Sequence, residues 1–369
     1  MPSQAPLRVV IAGGGTGGHL YPGVAVAREL RRREPEAHIV FVGTARGLEA
    51  RVVPREGFVL ELIRSGGLTR QAPLALVRSL ALLPVSALDA WRVIRKQSPH
   101  LIIGVGGYSS GPVVLIAALR HIPTMVLEQN AVPGVTNRIL SHVVEAAAVT
   151  YDATLPYFEG KGFVSGNPVR PEFFAVGSAV RTEETPTRVG RLHLLVLGGS
   201  QGAHAINVAM ADAAADLVAA PQPLSVTHQA GEQDLEMVRH AYRRAGLDAR
   251  VEAFLDTVDQ EMGAADVVLC RAGATTLAEL TAVGRPAILV PLPWAANAHQ
   301  LKNAEVLTEA GAAEMIDQAS LSGHELARRL LALASDEPRR ARMASSARRR
   351  AHPDAARVIV DRALKLVDQ

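Results

Sequence analysis

Short apolar runs alternate with longer stretches of helical spacing along most of this 369-residue chain. The runs are rich in valine, isoleucine and leucine and are bounded by glycine, proline or polar residues, a pattern that predicts buried β-strands. They fall at residues 7–12, 38–42, 101–105, 124–127, 192–197, 225–228, 267–270 and 287–290. Alternating strands and helices predict an α/β fold with parallel sheets, whose ligands bind at the carboxyl ends of the strands.

One unit occurs twice, and each copy consists of a strand, a glycine-rich turn and a helix. This order is typical of the opening of a Rossmann-like half. The first copy is residues 7–12, Gly13 to His19 and a helix over residues 22–33; the second is residues 192–197, Gly198 to His204 and a helix over residues 207–220. Two copies predict two Rossmann-like domains that face each other across a cleft, with a boundary after Pro168.

Composition and charge narrow the functional classes. A single cysteine, Cys270, excludes an internal disulfide and a cysteine-ligated zinc site. No run approaches the ~20 apolar residues of a membrane span, the first residues lack the pattern of a secretory signal, and 4% aromatic residues are too few for a broad platform that stacks single-stranded nucleic acid.

Positive charge is concentrated in the first half of the chain. Up to Pro168 there are 17 Lys and Arg against 11 Asp and Glu, a net +6, and since the whole chain carries +3 the remainder carries −3. A basic half predicts an anionic partner such as phosphate or a membrane surface, with a merely solvated surface as the alternative. The arginines after residue 338 are more typical of an exposed basic helix than of nucleic-acid binding.

The first glycine turn has two interpretations. Unpaired N–H groups and the positive end of the dipole make a helix N-terminus behind glycines favourable for phosphate. Gly13-x-Gly15-x-x-Gly18 also matches the dinucleotide fingerprint, which expects an acidic residue at the end of the second strand to hold a ribose. That strand runs into Val42-Gly43-Thr44-Ala45-Arg46, which has none, so a nicotinamide enzyme is disfavoured.

The second glycine turn matches the nucleophile elbow of hydrolases, with Ser200 between Gly198 and Gly202. A hydrolase would then need an acid and a histidine on loops after later strands, whereas Asp266 precedes its strand and falls at the opposite edge of the sheet. The equivalent of Ser200 in the first copy is Thr16. We therefore expect these hydroxyls to contact phosphate rather than to attack an ester.

His19 closes the first turn and is a candidate general base, because a neutral imidazole near pH 7 can accept a proton. A histidine that only packs against the turn is the alternative. A third glycine cluster, Gly104 to Gly111, follows another predicted strand and brings further amides and hydroxyls to the same sheet edge.

Hydroxyl and carboxylate groups follow the predicted strand at residues 267–270. Thr275 and Thr276 come first, and Glu279 lies three residues after Thr276. The spacing fits a capping box with no further role, or a carboxylate that binds both ribose hydroxyls behind a phosphate site. No Asp-x-Asp motif occurs, so we expect no metal and no other cofactor, with helix N-termini and amides meeting the diphosphate charge.

Taken together, the motifs resemble the MurG family of bacterial UDP-N-acetylglucosamine transferases, within glycosyltransferase family 28. The set spans nearly the whole chain, and its joint occurrence is far more specific than any one motif. In order, the motifs are Gly14-Gly15-Thr16-Gly17-Gly18-His19, Gly106-Gly107-Tyr108-x-x-Gly111, Glu128-Gln129-Asn130 with Gly134-x-Thr136-Asn137, Gly166-Asn167-Pro168-Val169-Arg170, Gly198 to Ala203, Arg271-x-Gly273-Ala274-x-Thr276-x-x-Glu279, and Asn297-x-His299-Gln300-x-x-Asn303-Ala304.

The resemblance implies a GT-B fold and an inverting transfer of N-acetylglucosamine to the 4-hydroxyl of lipid I, which gives lipid II for peptidoglycan. It implies that residues 1–168 bind the acceptor and face the membrane, that residues 169–349 bind the UDP-sugar, and that residues 350–369 form a helix that packs back on the first domain. A UDP-sugar epimerase or lipid glucosyltransferase on the same fold, and a non-catalytic UDP-sugar-binding scaffold, are the alternatives.

The resemblance also carries residue roles onto this sequence. It implies that Gly107 and Tyr108 lie on the acceptor side, whereas it does not by itself assign the catalytic base, for which His19 is our candidate. Ala272 and Thr275 depart from the serine and leucine common in the family. Substrate-binding positions by motif matching are Thr16, Gly17, Gly18, Asn130, Arg170, Ser200, Gln201, Leu255, Ala274, Thr275, Thr276, Glu279 and Gln300.

A lipid acceptor with no spanning segment in the chain requires peripheral attachment, which the resemblance puts at the cytoplasmic face of the bacterial inner membrane. The predicted surface is the leucine-rich stretch at residues 74–85 with Trp91 and the cations Arg92, Arg95 and Lys96, a composition that suits a headgroup boundary of anionic lipid. Cell-wall synthesis and division proteins are further expected partners.

Overall fold

The computed structural model describes residues 6–45, 47–66, 82–178, 191–199, 202–294 and 298–368. The chain divides into two compact units. Unit 1 consists of Met1–Arg170 together with His352–Gln369, and unit 2 consists of Pro171–Ala351. The α/β fold class that the alternating pattern predicts is confirmed in both.

Unit 1 contains a seven-stranded parallel sheet with the strand order β3-β2-β1-β4-β5-β6-β7. Its strands are β1 (Arg8–Gly13), β2 (His38–Gly43), β3 (Val59–Leu62), β4 (Leu101–Gly106), β5 (Thr124–Glu128), β6 (Ala146–Val149) and β7 (Gly162–Val164). Its described helices are α1 (Gly17–Arg33), α2 (Glu49–Arg55), α3 (Leu83–Gln97), α4 (Ser110–Leu119), α5 (Val135–Leu140) and, at the far end of the chain, α14 (Ala355–Val367), with a 3₁₀ segment at Asp152–Phe158.

Unit 2 repeats the plan with a six-stranded parallel sheet in the order β10-β9-β8-β11-β12-β13. Its strands are β8 (Leu192–Leu197), β9 (Leu224–Gln229), β10 (Ala249–Glu252), β11 (Val267–Cys270), β12 (Ala287–Leu289) and β13 (Ala313–Met315). Its described helices are α6 (Pro171–Ser178), α7 (His204–Val218), α8 (Leu235–Ala245), α9 (Val258–Ala264), α10 (Ala274–Val283), α11 (His299–Glu309), α12 (Gly323–Ser335) and α13 (Glu337–Arg348), with a 3₁₀ turn at Gln318–Ser320.

Each sheet has one point where the order of strands reverses, between β1 and β4 in unit 1 and between β8 and β11 in unit 2. Loops that leave the carboxyl ends of two such strands diverge to opposite faces and open a crevice, which is where open α/β sheets bind ligands. The glycine turns follow β1, β4 and β8, and the threonine-containing turn follows β11. The fold thus delivers all four motifs to the two switch points.

The helix α14 belongs to unit 1 although unit 2 separates it from the rest of that unit. It packs against α1, and Arg33 Nη1 lies 2.6 Å from Asp361 Oδ1. Ile359 and Leu366 are buried in the same apolar cluster as β1 and β4. The last helix therefore completes the core of unit 1.

Two helices begin earlier than their patterns predict. The helix α1 starts at Gly17 rather than at residue 22, and α7 starts at His204 rather than at residue 207. Pro22, the first residue of the predicted helix, lies inside α1. As a result the last glycines of the first turn are themselves helical and present first-turn amides.

Candidate active site

The glycine turns of unit 1 lock together at the switch point. Gly14 N donates to the Gly106 carbonyl over 3.2 Å. Gly107 has a φ of +81° and faces the Gly14 backbone so closely that a Cβ would collide with its carbonyl, so only glycine fits. The predicted meeting of the first and third glycine clusters at one sheet edge is thus what the structure shows.

His19 lies on this locked surface. A Cβ on Gly106 would come within 2.7 Å of His19 Cδ2, so the imidazole ring rests against the Gly106 backbone. His19 Nδ1 lies 3.3 Å from Thr16 Oγ1. When Nδ1–H donates to that hydroxyl, Nε2 carries the lone pair, which is the tautomer that a general base requires.

Asn130 is held at the carboxyl end of β5 by the buried Glu128. One oxygen, Glu128 Oε1, accepts from Asn130 N at 3.0 Å and from Asn130 Nδ2 at 3.1 Å, and Oε2 accepts from Asn137 Nδ2 at 2.9 Å. Burial raises the pKa of Glu128, while these N–H donors oppose the rise. Glu128, which the sequence marks only as part of a motif, is thus the residue that orients Asn130.

The remaining predicted residues of unit 1 surround the same edge. Tyr108 is half exposed, and its carbonyl accepts from Ser65 Oγ at 2.8 Å. The Arg170 guanidinium carbon lies 4.9 Å from the centre of the Tyr21 ring, and Tyr21 belongs to α1. A cation over an aromatic face is a stabilising contact, so Arg170 is positioned by the helix that carries His19.

The glycine turn of unit 2 bends through two glycines with positive φ, Gly199 at +76° and Gly202 at +78°. Gly202 N donates to the Gly199 carbonyl over 3.1 Å, and a Cβ on Gly202 would collide with the Ala230 carbonyl. The predicted donor-contacting residues Ser200 and Gln201 lie outside the described residues.

Gln229, which the sequence analysis missed, ties the glycine turn to the predicted uracil contact. Its side chain is buried at the carboxyl end of β9. Nε2 donates to the Gly199 carbonyl over 2.6 Å, and Oε1 accepts from Leu255 N over 3.0 Å. One amide thereby fixes the separation between Gly199 and Leu255. No sequence signal marked it, because its partners lie 30 and 26 residues away.

A buried polar network stands directly behind Gln229. His228 Nε2 lies 3.0 Å from Asn207 Oδ1, and His228 Nδ1 lies 2.8 Å from Tyr242 Oη. Asn207 Nδ2 donates to Ala230 O and to Asp234 Oδ2, so Asn207 Oδ1 is an acceptor and His228 is the Nε2–H tautomer. Burial lowers the pKa of His228 to about 3, with the Asp234 charge opposing the shift. The histidine is therefore a neutral structural link between β9 and α7.

The start of α10 removes the capping-box interpretation of Thr276 and Glu279. The N-cap of α10 is Gly273 and the helix begins at Ala274, so Thr276 is inside the helix. Because residues three and four apart are neighbours on a helix surface, Glu279 lies beside both Thr275 and Thr276, and Ala274 and Thr275 contribute first-turn amides. Burial, with the Glu279 charge adding to it, raises the pKa of Cys270 to about 12, so the thiol is inert.

Three hydrogen bonds between side chains and the backbone hold the loops beside α10 together. Gln300 Oε1 accepts from Leu292 N at 3.0 Å, and Asn303 Nδ2 donates to the Ala272 carbonyl at 3.2 Å. Arg271 Nη1 donates to the Val290 carbonyl at 3.1 Å, and burial lowers the pKa of its guanidinium. Gln300 thus lies at the same sheet edge as Glu279.

The described residues do not support the two alternative sites, the catalytic triad of a hydrolase and the ribose-binding carboxylate of a dinucleotide enzyme. Asp266 Oδ2 accepts from His193 N over 2.8 Å at the amino ends of β8 and β11. It therefore lies at the sheet edge opposite to the carboxyl end of β8, which a triad of the hydrolase type would use. An acidic residue does follow β2, namely Glu49, but its carboxylate is bonded back to Gly15 and Thr44 of the protein. The position that holds a ribose in dinucleotide enzymes is therefore filled internally.

Comparison with known families matches both halves of the chain. Residues 9–149 match the glycosyltransferase family 28 N-terminal domain, and residues 193–359 match the glycosyltransferase family 28 C-terminal domain.

Similar proteins cover nearly the whole chain. A protein of Anaeromyxobacter dehalogenans (strain 2CP-1 / ATCC BAA-258), named UDP-N-acetylglucosamine–N-acetylmuramyl-(pentapeptide) pyrophosphoryl-undecaprenol N-acetylglucosamine transferase, is 45% identical over 98% of this chain and 93% of its own length. A crystal structure of MurG from Acinetobacter baumannii superposes with a TM-score of 0.78, at 29% identity, over 98% of this chain and 100% of that one. A Neisseria meningitidis UDP-GlcNAc 2-epimerase has a TM-score of 0.69 at 13% identity, over 97% and 100% of the two chains, which shows a shared fold alone.

Proposed function

The chain belongs to glycosyltransferase family 28, and from that premise we propose that it moves N-acetylglucosamine from UDP-N-acetylglucosamine to lipid I, which gives lipid II for peptidoglycan. The observation that carries the proposal is the 45% identity over 98% of the chain to a relative named for this reaction. The GT-B fold, with motifs at the switch points of both sheets, agrees with it.

We assign the donor to unit 2. The hydroxyl and carboxylate face of α10 suits a nucleotide, with Thr275 and Thr276 near phosphate and Glu279 accepting from the two ribose hydroxyls. First-turn amides of α7 and α10 meet the diphosphate charge, because a helix N-terminus favours anions. Leu255 contributes backbone contacts to uracil and Gln300 contacts the sugar.

We assign the acceptor and the proton transfer to unit 1. The 4-hydroxyl oxygen of the N-acetylmuramoyl group attacks the anomeric carbon, the bond from that carbon to the diphosphate oxygen breaks, and UDP departs. The hydroxyl proton passes to His19 Nε2, with Nδ1–H donating to the Thr16 hydroxyl that lies 3.3 Å away. Attack from the face opposite UDP inverts the anomeric centre and gives a β-1,4 bond.

We further propose that unit 1 attaches to the cytoplasmic face of the inner membrane. No described helix is long and apolar enough to cross a bilayer. Three successive helices that pack side by side, α3, α4 and α5, expose large apolar side chains: Trp91 is 40% exposed, Leu119 67% and Ile139 62%. Arg95 lies 5.4 Å from the Trp91 ring, a pairing suited to anionic headgroups. Residues 74–81 of the predicted surface lie outside the described residues.

Vesicle binding tests the attachment. We expect the chain to bind anionic vesicles in low salt and to release them in high salt, and the double substitution Leu88→Ser and Trp91→Ser to weaken this binding. Val218→Ser removes a similarly exposed apolar residue from unit 2 and serves as the control. Equal binding of neutral and anionic vesicles would contradict the proposal.

Acceptor-dependent release of UDP tests the reaction. The purified chain is given UDP-N-acetylglucosamine with and without a lipid I analogue, and a panel of other UDP-sugars is run beside it. A transferase releases UDP only with the acceptor present. Conversion of the sugar without acceptor would instead identify an epimerase, and binding without release would identify a non-catalytic protein.

A further inference from the structure

The carboxylate of Glu49, which none of the motifs includes, is built into the first glycine turn. Glu49 is the first residue of α2 and only 1% of it is exposed. Oε2 accepts from Gly15 N at 2.7 Å, and Oε1 accepts from Thr44 N at 2.8 Å and from Thr44 Oγ1 at 3.0 Å. Each partner is a backbone N–H or a hydroxyl, so a carboxylate satisfies all three, whereas an amide would present an N–H to one of them.

The backbone around Glu49 is shaped to admit this side chain. A Cβ on Gly14 would lie 2.6 Å from Glu49 Oε2, and Cβ atoms on Gly43 and Gly47 would collide with the same carboxylate group. Three glycines, one in the turn after β1 and two at the end of β2 and in the loop that follows it, therefore leave room for one carboxylate. This amounts to a constructed site for an anion at the N-terminal end of α1, and the protein fills it with its own side chain.

The bond to Gly15 acts on the turn that carries His19. On one side, Gly106 and Gly107 hold the turn through the bond to Gly14 and the contact with the imidazole ring. On the other side, Glu49 holds the turn through the hydrogen bond that its Oε2 accepts from Gly15 N. Because Gly15 is exposed and immediately precedes Thr16, release of its N–H frees the segment that sets the His19 ring and its tautomer.

We propose that Glu49 is a positioning residue, whose carboxylate occupies the Gly15 amide and holds Thr16 and His19 in the geometry for proton transfer. It also closes that one amide to phosphate. The part of this inference that concerns turnover rests on the proposed function.

Glu49→Ala, rescued with formate, tests the role. A displacement of about 1 Å in the reacting groups reduces turnover roughly 10²-fold, so we expect kcat to fall by about that factor. The KM for UDP-N-acetylglucosamine stays unchanged, because the donor is bound by unit 2. Formate then fills the vacated site and restores part of kcat, whereas chloride at the same ionic strength does not.

Two further variants distinguish a loss of positioning of His19 from a general loss of protein stability. Glu49→Gln keeps the volume and loses kcat, and formate has no effect on it because the site is filled. Glu145→Ala removes another carboxylate that accepts from a backbone N–H, that of Thr124 at 2.7 Å, but at the amino end of β5; it keeps kcat with or without formate. Should Glu49→Ala fail to fold, Glu49→Gln against Glu145→Ala carries the kinetic comparison.

Formate binding can also be measured without turnover. It should raise the melting temperature of Glu49→Ala and leave that of Glu49→Gln unchanged. Wild-type kcat in Glu49→Ala or Glu49→Gln, or a loss in Glu49→Ala that formate does not relieve, would overturn the positioning role. A wild-type chain that releases no UDP when acceptor is added would overturn the proposed function instead, and the melting experiment would still decide whether the carboxylate site exists.

Discussion

Gln229→Met removes both hydrogen bonds of the buried amide while keeping the length of the side chain. In the wild type, the amide joins the Gly199 carbonyl to the Leu255 N–H. After the substitution, neither backbone group has this partner. We expect the glycine turn and the residue 255 loop to lose their fixed separation, and unit 2 to lose stability.

The size of the effect follows from the burial of the two groups. A buried polar group left unpaired costs about 1–3 kcal/mol, and Leu255 is buried, so its N–H bears this cost in full. The Gly199 bond is only partly buried, so water compensates for some of the loss. The sum is about 2–4 kcal/mol. For a unit of this size, each kcal/mol lowers the melting temperature by about 2–4 °C, which gives a fall of roughly 5–15 °C.

Calorimetry measures the melting temperature, and titration calorimetry measures the affinities for UDP and uridine. If the amide sets the distance between the diphosphate and uracil ends, UDP affinity falls tenfold or more, about 1.4 kcal/mol, and uridine affinity falls less because uridine spans one end only. Gln233→Met makes the same substitution at an exposed position four residues further along the chain, and it controls for any effect of introducing a methionine. A Gln229→Met chain that melts and binds UDP like the wild type would refute this reasoning.

Three other predictions concern the base, the ribose contact and the pH dependence of stability. His19→Ala should lower kcat by about 10²–10⁴-fold in the UDP-release assay while UDP affinity stays nearly constant. Glu279→Ala should weaken UDP binding roughly tenfold or more, because hydrogen bonds to a carboxylate contribute about 1.5–3 kcal/mol. His228 should lower the free energy of unfolding as the pH falls from 6.5, its ordinary pKa, to about 3, its pKa in the folded chain. In this range the unfolded chain binds a proton that the folded chain does not, so urea titrations should show a loss of about 1.4 kcal/mol per pH unit.

Each of these has a control. Loss of UDP binding in His19→Ala would make the residue structural, and near-normal turnover would exclude it as the base. For Glu279, 2′,3′-dideoxyuridine is the control ligand: a variant that still prefers uridine as strongly as the wild type does contradicts the ribose contact. For His228, a His228→Gln chain whose stability declines between pH 6 and pH 4 as steeply as the wild type's would contradict the assignment.

Local pattern was sufficient for eight of the thirteen described strands, including those whose ends carry the motifs. It did not predict β3, β6, β7, β10 and β13, which have only three or four residues each and, apart from β6, lie at the edges of the two sheets. The predicted runs at residues 192–197 and 267–270 coincide with β8 and β11. The run at residues 7–12 differs from β1 by one residue at each end. Buried parallel strands are continuous apolar runs, so the pattern is strong there. Helix starts were less predictable, since glycines in α1 resemble a turn until the fold shows that they are helical.

The supporting side chains could not be predicted from sequence, because what defines them is distance in space. Glu49 lies 34 residues from Gly15, and Gln229 lies 30 from Gly199. Neither occupies a recognised motif or an unusual spacing. A sequence shows which residue types follow a strand, but which backbone amide a side chain reaches depends on how the loops fold over the sheet edge.

The place of α14 has a consequence for the order in which the protein is made. Unit 2 is a continuous segment, Pro171–Ala351, whereas unit 1 needs Ile359 and Leu366, which are translated after all of unit 2. During synthesis the first 170 residues therefore leave the ribosome with an apolar groove between α1 and the sheet uncovered, and they wait for the second unit before it is filled. Because domains fold as units when their residues are available, the half of the protein that is begun first is the half that is finished last.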